Sequence, residues 1–122
     1  MPWQFNHREP VFLQIANRLR WEILRGAYSP EEQFPAVRQL AAQAAVNPNT
    51  MQKALTLLEE EELLYTRGTV GRFVTSDAAV LDALRERMRR ETVRAWIEEA
   101  QTLGISKQEL IRYIQEMEDS VL

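Results

Sequence analysis

FPAVRQLAAQAAVNPNTMQKALTLLEEEELLYTRGTVGRFV, residues 34–74, is the stretch that decides the fold. Its apolar period and its turn residues predict a short helix, a turn, a second helix and a hairpin that contains two glycines. This order is typical of a winged helix-turn-helix, whose second helix enters the DNA major groove while the hairpin lies along the backbone or minor groove. The sequence therefore predicts a mainly α fold with a small β-hairpin.

The second helix of this stretch has a strong start signal and two distinct faces. Asn47 can accept backbone N–H groups as the N-cap residue, and Pro48 suits the first helical position. Apolar residues then recur at helical spacing and predict a buried stripe of Met51, Ala54, Leu55 and Leu58. The opposite face is polar and carries Asn49, Gln52, Lys53 and Thr56.

The polar face and its surroundings predict contacts with duplex DNA. Asparagine and glutamine can pair with adenine, and threonine can meet a thymine methyl group or a phosphate, so direct reading should lean toward A·T pairs. Arg38 should reach a phosphate or a base at the groove edge, and the hairpin arginines should reach the backbone or minor groove. The predicted DNA-binding residues are Arg38, Asn47, Asn49, Thr50, Gln52, Lys53, Arg67, Gly68 and Arg72.

The acidic run Glu59–Glu62 follows the polar face. Carboxylates near DNA would be repelled by phosphates, so we expect a solvated helix end that is turned away from the DNA.

Helical patterns also flank this stretch on both sides. Pro10 suits the first turn of an N-terminal helix that ends near Gly26, and Ser76 with Asp77 can cap a long helix reaching Leu103. A capping box at Ser106 opens a final helix, whose predicted inner face extends to Val121. We therefore predict a winged helix-turn-helix DNA-binding domain over residues 1–75 and a helical dimerisation region over residues 76–122.

Dimerisation is expected because two amphipathic helices cannot bury their apolar faces on one small winged domain. The predicted dimerisation residues are Leu84, Met88, Trp96, Ile97, Ile111 and Ile114.

Composition narrows the possible classes of function. The 122 residues carry a net charge of -3. The excess of acidic over basic side chains lies wholly in residues 76–122, because residues 1–75 hold eight of each. Cysteine is absent, His7 is the only histidine, and no phosphate-binding loop or spaced set of carboxylates appears. We therefore predict no enzyme, no metal and no cofactor. Without disulfides, a signal peptide or a membrane-spanning apolar run, we expect a cytoplasmic protein.

Several motifs together resemble the N-terminal domain of GntR-family bacterial transcription regulators. In chain order they are Pro10–Ile15, Ile23 with Gly26, Phe34–Ala41, Val46–Thr50 and Gly71–Val74, and they span about residues 10–75. The Asn-Pro-Asn-Thr sequence and the short two-helix tail are similar to the YtrA subfamily, in which the tail mainly dimerises.

The resemblance implies roles for particular residues. Arg38 matches the arginine of the family's Leu-Pro-Ser-x-Arg motif, Asn49, Thr50 and Gln52 match recognition-helix positions, and Arg67 with Gly68 matches the wing. The chain departs from the family at four positions, where Glu32 and Glu62 replace glycine, Ala36 replaces serine, and Pro48 stands where arginine is frequent.

The family resemblance implies a repressor that binds an inverted repeat as a homodimer and controls transporter genes. A winged helix used for protein or RNA contacts is the alternative, although protein-binding versions would expose apolar side chains on the second helix. A small-molecule effector is a further possible partner. The candidate walls of its site are Trp3, Trp21 and Trp96, for which packing in a core or interface is the competing interpretation.

Overall fold

The computed structural model describes residues 2–117 and contains five helices and one hairpin within that range. The chain forms two compact units, Met1–Leu84 and Arg85–Leu122. In chain order the elements are α1 (Val11–Leu24), α2 (Val37–Ala44), α3 (Pro48–Glu60), β1 (Leu64–Arg67), β2 (Gly71–Val74), α4 (Ala78–Thr102) and α5 (Lys107–Glu116). The division between the units therefore falls inside α4. Among the described residues, no helix combines the length and apolar character that a membrane span requires.

The core of the first unit lies between α1, α2, α3 and the hairpin. The apolar stripe predicted for α3 is buried, and α1 packs against α3 with Ile15, Ala16, Leu19 and Ile23 buried. Leucines at the end of α3 and along the hairpin complete this core, because the alternation of β1 and β2 directs one face inward. The fully buried large side chains of this unit are Ile15, Leu19, Leu40, Met51, Leu55, Leu58, Leu63, Leu64 and Val74.

A tight turn joins α2 to α3. Ala45 adopts a left-handed conformation with φ 58°, and the amide of Val46 donates to the carbonyl of Ala41 at 3.0 Å. Asn47 then caps α3, since its Oδ1 accepts the Asn49 amide at 2.7 Å, and Pro48 occupies the first turn. Both parts of the predicted helix start are confirmed, and they fix where the polar face of α3 begins.

The hairpin is antiparallel, with Leu64 opposite Val74 and Arg67 opposite Gly71. Each strand starts one residue away from a strand-like run of the sequence, since LLYT spans residues 63–66 and RFVT spans residues 72–75. The connection before α2 also joins it, because the amide of Phe34 donates to the Arg72 carbonyl at 2.8 Å. This backbone pairing was not predicted, since the segment reads as turn-rich.

Ser76 and Asp77, which were both predicted to cap α4, have different partners in the structure. Asp77 caps the helix, because its Oδ1 accepts the amides of Ala79 at 2.9 Å and Val80 at 3.4 Å. Ser76 instead donates its hydroxyl to Glu31 at 2.6 Å. Further along, the predicted capping box of Ser106 with Glu109 is present at the start of α5.

Candidate nucleic-acid interface

The outward face of α3 is polar and accessible. The apolar stripe faces the core, and the opposite side exposes Asn49, Gln52, Lys53 and Thr56. Thr50 is half-buried at the first turn. Residues in the first turns of such a helix are the ones that reach base edges in a helix-turn-helix complex. The structure therefore brings the predicted reading residues to one surface.

The polar side chains of α3 differ in the contacts they make within the chain. The Asn49 side chain makes no hydrogen bond within the described residues, and Gln52 donates to Thr56 Oγ1 at 3.1 Å. The Lys53 ammonium lies 4.1 Å from the centre of the Phe12 ring on α1, within the range of a cation–π contact. The side-chain oxygen of Asn47 accepts the hydrogen bond of the cap, whereas its amide nitrogen has no partner among the described residues.

Arg38 lies in the first turn of α2 with its side chain exposed. In the part of the chain that the structure describes, its guanidinium has no ion pair, hydrogen bond or aromatic contact. A guanidinium in this state keeps its full charge and all its donors for an external anion. Arg38 is thus an exposed cation without a partner among the described residues, on the helix that packs against α3.

Arg67 lies on the β1–β2 hairpin, which is the wing of this fold, and its guanidinium contacts three neighbouring side chains. Its guanidinium lies 3.3 Å from Glu31 Oε2, donates to the Tyr65 hydroxyl at 2.8 Å, and lies 4.3 Å from the centre of the Phe73 ring. Gly68 follows with φ +50°, a conformation that suits the tight turn at the tip. The charge of Arg67 is therefore shared with a carboxylate at the wing surface.

The second wing arginine, Arg72, forms an ion pair with Glu59 at the end of α3. The side chains of Arg72 and Glu59 are only 20% and 30% exposed. For Arg72, DNA contact stays a prediction, and this half-buried pair is a competing use of its charge.

The acidic run therefore differs from the solvated end that the sequence predicted. Besides the pair of Glu59 with Arg72, Glu61 accepts two hydrogen bonds from Arg20 of α1, at 2.8 and 2.5 Å. The expectation was wrong for these two glutamates, because arginines from other elements of the fold approach them. Glu60 and Glu62 are exposed as expected.

Glu31 and Tyr65 titrate away from their ordinary ranges. The hydrogen bond from Ser76, then that from Tyr65, and the nearby Arg67 charge hold the pKa of the Glu31 carboxyl below its usual value. Reciprocally, donation to Glu31 raises the pKa of the Tyr65 hydroxyl. Near neutral pH the carboxylate is therefore charged and the phenol is protonated.

One contact at the wing tip was not predicted from the sequence. Gln33 donates its side-chain amide to the Val70 carbonyl at 2.9 Å, and a Cβ added to Gly71 would meet that amide nitrogen at 3.0 Å. Gly71 also has φ +139°, which an L side chain rarely adopts. Gln33 thus ties the wing tip to the start of α2. Gly71 is the sequence feature that indicated a tight turn here. Gln33 lies far from it in the sequence, so no local pattern could identify this contact.

The second unit exposes several large apolar side chains. Trp96 is 57% exposed, Ile111 48% and Ile114 46%, while Ile97 is half-buried. Other exposed apolar side chains of this unit are Val93, Leu103, Tyr113 and Met117. The remaining two predicted dimerisation residues, Leu84 and Met88, are already buried within a single chain. Val121, also expected on the inner face, lies outside the described residues.

Two of the three tryptophans predicted as walls of an effector site, Trp3 and Trp21, have local partners. The Arg18 guanidinium lies 4.0 Å from the centre of the Trp3 ring, and that of Arg25 lies 5.2 Å from the Trp21 ring. Both rings are half-buried. These contacts agree with packing of the two rings within the first unit.

The family described as "Bacterial regulatory proteins, gntR family" matches residues 12–74, which contain every element of the proposed interface. One curated relative is the HTH-type transcriptional repressor YtrA of Bacillus subtilis. It is 29% identical over 113 residues, which cover 92% of this chain and 87% of YtrA.

Two solved structures resemble different extents of the chain. A GntR family transcriptional regulator from Listeria monocytogenes has 32% identity and a TM-score of 0.80, with 93% of this chain and 100% of that chain covered. AraR(DBD), solved in complex with operator ORR3, has 27% identity and a TM-score of 0.54, and the match covers 62% of this chain and 90% of that chain. The second structure is that of a complex with operator DNA.

Proposed function

The chain belongs to the GntR family of bacterial transcription regulators, which bind DNA and are not enzymes, and we propose that it is a repressor that binds an inverted-repeat operator as a homodimer. The observation that carries this proposal is the accessible polar face of α3 beside the free guanidinium of Arg38. The name of the relative YtrA, a transcriptional repressor, supports the sign of regulation.

In the proposed complex, α3 lies in the major groove. Asn49 and Gln52 would hydrogen-bond with adenine edges, because their amides can both donate and accept there. Arg38 and Arg67 would bind phosphates, which positions the protein without reading sequence. The net charge of residues 1–75 is zero, so these local cations, and not a general attraction, would account for the affinity.

The proposed dimer uses the apolar surface of the second unit. Trp96, Ile111 and Ile114 each expose close to half of their area, and a second copy is the simplest cover for such a cluster. A two-fold dimer would present its α3 helices to half-sites about 34 Å apart, one turn of DNA. This geometry is the reason for proposing an inverted repeat.

Selection of bound fragments from random duplex DNA, with the mass of the oligomer measured alongside, tests the proposal. We expect an A·T-leaning inverted repeat and a mass of twice 14.2 kDa. Selection of a single half-site by a monomer would contradict the dimer. Preferential binding to RNA would instead favour the alternative of an RNA-interaction module.

A matched pair of variants separates dimerisation from folding. Ile114→Glu places a charge in the proposed apolar interface and should shift the mass to that of a monomer, with weaker operator binding. Gln115→Glu adds the same charge at the neighbouring exposed position of α5 and should leave the dimer intact. Dimerisation unchanged in Ile114→Glu would place the interface elsewhere.

The proposal extends to the regulated genes and the cellular site of action. On the family resemblance, the target is a transporter operon and the protein acts in the cytoplasm. Deletion of the gene should raise transcripts of the transport genes that carry the selected operator. Lower transcript levels would instead indicate an activator. A small-molecule effector remains a prediction without an assigned site.

A further inference from the structure

The carboxylate of Glu31 is held from two sides. Its Oε1 accepts the Ser76 hydroxyl at 2.6 Å, and its Oε2 accepts the Tyr65 hydroxyl and lies 3.3 Å from the Arg67 guanidinium. Each oxygen therefore has its own partner segment, one before α4 and one on β1. This arrangement fixes the direction of the carboxylate more firmly than a single surface ion pair would.

The backbone brings Glu31 to the wing. Its amide donates to the Val74 carbonyl at 2.8 Å, and its φ of 67° lies in the left-handed region that non-glycine residues rarely adopt. The local backbone conformation and this hydrogen bond place the carboxylate beside Arg67. The position is therefore built into the fold.

The pair is nevertheless open to solvent. The side chains of Arg67 and Glu31 are 56% and 47% exposed, so an external anion can reach the guanidinium. Exposed ion pairs are weak because water screens them. A phosphate can therefore replace the carboxylate, but it must compete with it.

We propose that Glu31 is a positioning residue that holds Arg67 against the wing and weakens the attraction of the wing for DNA phosphates. The inference rests on the proposed function, since it assigns Arg67 to the DNA backbone. While the pair is intact, one negative charge offsets the wing cation, and binding to any phosphate requires the guanidinium to change partners. The effect is independent of base sequence, because phosphate contacts carry no sequence information.

Glu31→Gln tests this directly. Glutamine keeps the shape and can still accept from Ser76, but it removes the charge that competes for Arg67. For a duplex of one fixed, arbitrary sequence, we expect roughly threefold to fivefold tighter binding at low salt. The plot of log affinity against log salt should steepen, by at most about 0.9, because Arg67 contacts a phosphate in a larger share of complexes once its competitor is removed. A purely structural role would not steepen it.

A double-mutant cycle with Arg67→Ala locates the cause. If Glu31 acts through the arginine, the gain from Glu31→Gln disappears in the Arg67→Ala background. Tyr65→Phe, which removes the hydroxyl between the two charges, should tighten binding to a smaller extent. An equal gain with and without Arg67 would overturn the inference, because it would indicate direct repulsion of DNA by Glu31.

Glu32→Gln is the matched control. It removes the same charge from the next residue, whose carboxylate accepts the Ser29 amide at 2.8 Å and contacts no arginine among the described residues. We expect less than about a twofold change. A gain equal to that of Glu31→Gln would overturn the inference. If the parent bound no duplex at all, the proposed function would fail as well, whereas a binding parent with an unaffected Glu31→Gln would refute the inference alone.

Discussion

The α2–α3 face and the wing hold their cations in opposite ways. Arg38 on α2 is exposed and unpaired within the described chain, whereas Arg67 and Arg72 on the wing each meet a glutamate. Both regions would look equally basic in a count of residues. The difference shows that the charge available to DNA depends on intramolecular partners, and that the free charge lies beside the reading helix.

The largest expected effect comes from the free cation. Arg38→Ala should weaken binding to every duplex by about 2 kcal/mol, roughly thirtyfold, because a charge-assisted hydrogen bond to phosphate is lost without any internal compensation. The salt slope should fall by about 0.9. Titrations at several salt concentrations measure both. Arg90→Ala, at a 76% exposed position on α4, is the control and should bind like the parent.

The next effect concerns sequence preference. Gln52→Ala should reduce discrimination at one base pair by about 1 kcal/mol, roughly fivefold, while affinity for unrelated DNA stays close to that of the parent. Repeated selection from random DNA measures this change. Uniform weakening across all sequences would show that Gln52 serves the backbone, which would remove the distinction between a reading face and a positioning wing.

The half-buried wing pair should matter for stability. Glu59→Gln leaves Arg72 with an uncompensated charge at a site only 20% exposed, so we expect a loss of about 1 kcal/mol in the free energy of unfolding. Urea denaturation measures it. Glu60→Gln, at an exposed position beside it, is the control. Equal stability of Glu59→Gln and the parent would mean that Arg72 is as available to DNA as Arg38.

The smallest expected effect is a pH dependence of the free energy of unfolding. Since the folded pKa of Glu31 lies below its unfolded value, the unfolded chain binds this proton more readily, and the stabilisation is full above the ordinary value of 4.5. It is lost as pH falls through the folded pKa. The stability difference between parent and Glu31→Gln should therefore shrink as pH falls below 4.5. A difference that stays constant would show that the carboxylate is not held by its partners.

Local sequence patterns were sufficient to predict the helix caps and the buried stripe of α3, but not the ion pairs. The Asn47 cap, the α3 stripe and the capping box of α5 depend on residues within four positions of one another, so sequence alone predicts them. The pairs Arg72–Glu59, Arg67–Glu31 and Arg20–Glu61 join residues 13, 36 and 41 positions apart. No periodicity connects such residues, because only the packed fold brings them together.

The same limit applies to the second unit. Met88 and Trp96 of α4 are both predicted dimerisation residues, yet Met88 is 2% exposed and Trp96 is 57% exposed. A period identifies a face of a helix, but it does not tell how far along the helix that face is covered. The part left uncovered is where the proposed dimer contact would form.

The first turn of α3 has a consequence for how the protein can grip a phosphate. Pro48 has no N–H, the Asn49 amide donates to the Asn47 side chain, and the amides of Thr50 and Met51 donate to the Asn47 carbonyl at 3.0 and 3.1 Å. Many proteins use the open amides of a helix start as an anion clamp. Here the amides from Asn49 to Met51 are already occupied, so in the proposed complex α3 would contact DNA with side chains alone. Exchanging those side chains would then change base preference without removing a backbone contact.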